Sequence, residues 1–180
     1  MHPMSAEQPE AIPRRHVTGL LVAGFWVVGS SFLLLLALPH FLEADADAAR
    51  ATFYVMGAGY LVVGLVLLFI GARRGSANPP QPFHPVRGHT IAIALLGVVF
   101  LLLATPTDEP PEIRLFTVFI FLWLSVAAFA VAALRIRSAP LAVPATAALN
   151  IAWAILFPFG TGLFIWWLLS VRKRESLSAA

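Results

Sequence analysis

Few residues of this chain have the type and setting to do chemistry, and most of those stand at the ends of hydrophobic runs. Asn150 is the exception. It sits inside an apolar stretch, about two helical turns before Phe157-Pro158-Phe159-Gly160-Thr161-Gly162. A proline and two glycines in that span are reason enough for a helix to stop or bend. A break frees backbone carbonyls, which the Asn150 carboxamide is placed to bond. With Pro158, Gly160, Thr161 and Gly162 it could instead form a discontinuous-helix binding site of the transporter kind. The plainer reading is a packing kink in which Asn150 joins two helices by a hydrogen bond worth about 0.6 to 2 kcal/mol.

The remaining candidates point away from catalysis. Histidines raise the question of haem, which membrane cytochromes hold between helices. Here His16 and His89 fall at one boundary of the hydrophobic runs, His40 at the other, His84 in a proline-rich loop and His2 in the tail. None stands in mid-span opposite another, so they read as interfacial polarity and no cofactor is assigned. Glu43, Asp45 and Asp47, and likewise Asp108, Glu109 and Glu112, cluster as calcium ligands do, yet neither group has EF-hand spacing. Solvated charge at helix starts accounts for both, and no metal is assigned. Ser30 and Ser31 have no acid or base beside them to activate a nucleophile, and the chain contains no cysteine, which removes thiolate chemistry and disulfides. No catalytic residue is assigned, and a non-enzymatic role is the expectation.

The elements that must position these residues are hydrophobic helices. Hydrophobic residues make up 59% of the 180, charged residues only 12%, and the mean hydropathy is +0.85. That is far more apolar than a water-soluble domain. The pI of about 10.2 accompanies a net charge of only +3, with the basic residues in small clusters beside apolar runs, a pattern of membrane orientation rather than nucleic-acid binding. Apolar segments cover 17–38, 51–71, 89–104, 115–134 and the long stretch 141–171. Strand-like alternation is absent, so the sequence predicts an all-α, polytopic transmembrane helical bundle of four single spans plus a fifth segment broken by proline and glycine. The divisions are a cytoplasmic tail over 1–16, a transmembrane domain over 17–171 and a basic C-terminal tail over 172–180. The run 17–38 is longer than a secretory h-region and reads as a retained helix.

Orientation follows from arginine. Arg14 and Arg15, then Arg73, Arg74 and Arg87, then Arg135 and Arg137 mark three cytoplasmic regions, leaving the two acidic loops outside. The last segment conflicts with this rule: a single kinked crossing would put Arg172-Lys173-Arg174 outside, whereas a helical hairpin would return it to the cytoplasm. Both remain open, because residues 163–171 after the break reach only about 14 Å. Trp166 and Trp167 suit an interfacial aromatic belt. No Asp, Glu, Lys or Arg lies within the five segments, which weighs against proton relays, voltage sensing and ion-coupled transport but leaves room for a passive pore.

Packing is also legible. Gly57, Gly64 and Gly71 recur every seven residues on one helix face, where they let another backbone approach, from the same chain or from a second copy. Gly19 with Ala23, Ala128 with Ala132 and Ala148 with Ala152 offer matching small-residue pairs. Arg15-His16-Val17-Thr18 and Arg87-Gly88-His89-Thr90 open comparable hairpins, as a faint parallel repeat or convergence on common membrane-flanking residues would each produce. The loop 75–88 carries Asn78-Pro79-Pro80-Gln81-Pro82 and reads as a stiff, polyproline-like connector.

With Asn150, Phe157, Pro158, Gly160, Thr161, Leu163, Ile165 and Leu168 in place, the final quarter of the chain resembles small uncharacterised bacterial multi-pass membrane proteins that end in Asn, Phe-Pro-x-Gly-Thr and a Leu- and Trp-rich stretch. Phe164, Trp166 and Leu169 depart from that pattern. The resemblance implies a bacterial inner-membrane setting and brings no activity. The expected role is therefore a structural, accessory or regulatory component of the cytoplasmic membrane. Its partners are the lipid bilayer and either a second copy of itself or another membrane protein. A passive channel or transporter subunit is the second reading, and a lipid-active enzyme the third.

Overall fold

A computed structural model of the chain describes residues 14–42, 46–77, 85–105, 110–156, 158–171 and 175. Among these every regular element is helical. They are α1 (Arg14–Phe32), running on through a π turn (Leu33–Ala37) and a 3-10 turn (Leu38–Phe41); α2 (Asp47–Ala77); α3 (Arg87–Leu103); α4 (Pro111–Ile136); α5 (Ala142–Leu156); and α6 (Pro158–Trp166), closed by a π turn (Trp167–Val171). The expected all-α class holds. Three helices, over Arg15–Ala37, Asp47–Ala77 and Ile113–Ile136, are long and apolar enough to cross a membrane. Arg87–Leu103, Ala142–Ala154 and Thr161–Val171 are shorter apolar helices. The outer surface is apolar: Val55 and Leu169 are each 73% exposed and Leu102 64%, a surface that water tolerates poorly.

The glycine face of α2 packs on α1 of the same chain, which answers the question of its partner. Gly57, Gly64, Gly71 and also Gly75 are buried. At the crossing the two backbones touch: a Cβ on Gly64 would lie 2.8 Å from the Val28 amide nitrogen, and one on Gly24 would lie 2.9 Å from that of Leu68. Gly24, which no sequence spacing singled out, is the counterpart of Gly64. The expected seam at Gly19 and Ala23 does not form. Both are exposed, and a Cβ on Gly19 would meet nothing within 4 Å. Ala128 with Ala132 and Ala148 with Ala152 are buried as expected.

Helix α3 runs antiparallel to α4. Gly97 receives Ala128 and Phe129, and the Ser125 hydroxyl donates to the Gly97 carbonyl at 2.8 Å. Phe25 stacks on Trp123 at 5.5 Å and Phe100 meets Trp153 edge-on at 5.6 Å, so α1, α3, α4 and α5 share one apolar core.

A tight turn reverses the chain after α4 and sets the next element beside it. Ser138 takes the left-handed conformation at φ 49°, the Ala139 amide donates to the Leu134 carbonyl, and the Ser138 amide donates to that of Arg135. This is the Schellman arrangement, which normally takes glycine past the helix end. We expect Ser138→Gly to raise stability by about 1 kcal/mol, read as an upward shift in the melting temperature of the purified protein.

The fifth hydrophobic segment folds back on itself. Pro158 is the first residue of α6, where its missing N–H costs no helical hydrogen bond. Gly160, Thr161 and Gly162 lie inside α6 and do not form an irregular turn, and Phe157, between α5 and α6, is outside the described residues. The returning limb is therefore longer than the sequence suggested. It reaches about 20 Å over 158–171 by helical rise. Trp166 arrives against Gly88 and His89 at the start of α3, and Glu175 reaches Arg135 at the end of α4. The chain after α6 thus ends beside the start of α3 and the end of α4, the same end at which α5 begins.

Candidate functional site

The densest polar chemistry among the described residues lies where α3 begins, α4 ends, α5 begins and the chain returns after α6. Arg135, in the last turn of α4, is fully buried. Its Nε donates to Thr90 Oγ1 at 3.0 Å, its Nη1 to Thr146 Oγ1 at 3.1 Å, and its Nη2 to Glu175 Oε1 in an ion pair. Each hydroxyl in turn donates within its own helix, Thr90 to the Val86 carbonyl at 3.2 Å and Thr146 to the Ala142 carbonyl at 2.6 Å. Glu175 Oε1 also accepts from the Val86 amide at 3.3 Å, which places a carboxylate at the N-terminus of α3 where helical amides favour negative charge. The planar guanidinium, with donors fanned in one plane, suits binding three partners from three directions.

The sequence placed Arg135 in a cytoplasmic loop and Glu175 in a basic tail, and missed this cluster. The only signal available was that Thr90 and Thr146 sit one turn inside their helices, a place where a hydroxyl can face an adjoining helix end. His89, expected at an interface, is fully buried with its ring edge-on to Trp166 at 5.3 Å, and neither ring nitrogen has a hydrogen-bond partner. Trp167, expected in an interfacial belt, is buried, whereas its neighbour Trp166 is exposed.

The residues singled out around the break are separated by role. Asn150 is fully buried one turn beyond Thr146 on α5, but its carboxamide bonds nothing and does not reach the freed carbonyls. Thr161 does that instead, its hydroxyl donating to the Ala154 carbonyl at 3.0 Å. Gly162 faces open space. Since a buried unpaired amide is unfavourable and leucine has a similar volume, Asn150→Leu is expected to stabilise the protein by about 1 to 3 kcal/mol. A lowered melting temperature for that variant would show that the amide is engaged.

At the opposite end Arg50 ties the chain between α1 and α2, donating to the Pro39 carbonyl at 3.3 Å and the Leu42 carbonyl at 3.1 Å, with Asp47 3.4 Å away. The Ser31 hydroxyl donates to the Val28 carbonyl at 2.6 Å, and Ser30 is exposed. Among the described residues no group of three His, Asp or Glu is disposed to hold a metal ion. His2, His84, Glu43, Asp45, Asp108, Glu109, the prolines at 79, 80 and 82, and the 172–174 triplet lie outside the described residues.

Comparison with protein-family models, with curated proteins and with solved structures finds no match. The chemistry of the cluster therefore rests on its own residues. An arginine whose arms are taken up by two hydroxyls and a carboxylate is suited to holding helix ends together.

Proposed function

We propose that the chain is a multi-pass protein of the bacterial cytoplasmic membrane, with four single spans followed by a helical hairpin and both termini inside. It serves there as a non-enzymatic structural, accessory or regulatory component. The observation that carries this reading is the closure of the Arg135 cluster: its donors bind Thr90, Thr146 and Glu175, so the one buried ion pair among the described residues is spent on joining α3, α4, α5 and the returning chain. The apolar exterior supports a lipid environment. The hairpin supports the orientation, since Glu175 brings the returning chain to the end of α4 where Arg135 and Arg137 stand, in keeping with cytoplasmic retention of basic residues.

Two measurements test it. A reporter fused after residue 180 should read cytoplasmic, and a periplasmic reading would sink the hairpin topology. Purified protein in liposomes should pass neither ions nor small solutes. Flux would install the channel or transporter-subunit reading, which the α5–α6 break favours, and hydrolysis of the surrounding lipid would install the enzyme reading.

A further inference from the structure

A groove of about 450 Å³ lies open between the first turns of α1 and the last turns of α2, lined by Arg15, His16, Gly19, Leu20, Ala23 and Arg74. Its composition is divided. The two guanidinium groups and the imidazole stand at the helix ends, and the floor beyond them is apolar. The concavity exists because Gly19 and Ala23 are small and no described residue packs on them: both are exposed, and a Cβ on Gly19 would have open space around it. Those two residues looked like a helix-packing pair, but α2 uses Gly24 and leaves this face bare.

We propose that this groove binds an anionic glycerophospholipid, with its phosphate between Arg15 and Arg74 and an acyl chain laid over Gly19, Leu20 and Ala23. A soluble anion would use the cationic rim and leave the floor unexplained, and a neutral lipid would use the floor and leave two arginines without a counter-charge. Basic pockets between helices at the inner face take up such head groups, each arginine contributing about a fivefold factor in binding. The assignment rests on the membrane reading above, because it needs the rim to lie at the head-group level.

The test uses the full chain. Carbonate extraction of expressing cells comes first: release into the soluble fraction would overturn the membrane reading and this site with it, whereas retention isolates the lipid question. Protein in detergent is then titrated with fluorescent phosphatidylglycerol. The Arg15→Gln/Arg74→Gln variant should bind about thirtyfold more weakly. Gly19→Leu, which fills the floor without meeting a neighbour, should also weaken binding while keeping the wild-type melting temperature. Arg137→Gln, an exposed arginine elsewhere at the same end, should bind as wild type. Inorganic phosphate should not compete. Unchanged affinity in the double variant, or equal affinity for phosphatidylcholine, would overturn the proposal, and full competition by inorganic phosphate would replace the lipid by a free anion.

Discussion

Gly64→Leu is expected to force α1 from α2 and cost about 3 kcal/mol or more, the upper range of what overpacking does, because what blocks the new side chain is backbone. A Cβ there would lie 2.7 Å from a Val28 methyl and 2.8 Å from the Val28 nitrogen, with the Gly24 carbonyl oxygen at 3.2 Å. A rotamer change relieves the first contact but neither of the others. The helices must therefore separate along their length, losing the close approach that small residues allow and through which helices in lipid chiefly gain their attraction. Gly59→Leu is the matched control: it adds the same side chain to the same helix where nothing lies within 4 Å, and should change stability by less than about 0.5 kcal/mol. Melting of the two purified variants checks this. Because the native chain has no cysteine, a cysteine pair engineered across α1 and α2 would report separation directly, without background.

The second large effect concerns the ion pair. Arg135→Leu alone, or Glu175→Leu alone, should cost about 3 to 5 kcal/mol, since either leaves a buried charge without its counter-charge. The double replacement should recover most of that loss. Thr90 and Thr146 retain hydrogen bonds to their own helix carbonyls when the guanidinium is gone, so removing both charges orphans few polar groups. Non-additivity of the three melting temperatures is the measurement. If the double variant fell by the sum of the singles, Arg135 and Glu175 would be stabilising the fold independently and the clamp would be the wrong description.

Legibility in the sequence followed the range of the interaction. The positions of the apolar helices, the basic and acidic loops and the burial of Gly57, Gly64 and Gly71 are local or periodic properties, and they could be read from runs of residues and their spacing. Asn150 was legible as a buried amide, but the group that caps the break is Thr161, because a hydroxyl seven residues beyond Ala154 reaches its carbonyl only after the chain has begun its reversal.

By itself the sequence determined that this chain is helical, apolar on its outside and sorted in charge. Each of those is set by side chains acting on their immediate surroundings. Tertiary structure alone decided that α2 buries its glycines on α1, that the last segment returns as a hairpin, and that Arg135 meets Glu175 forty residues later. The reason is geometric. The sequence of a helix leaves the direction of the next one undetermined until that helix has a surface to pack on, and only when α6 settles along α5, with Trp166 against the start of α3, does a carboxylate at position 175 come within reach of an arginine at the end of α4.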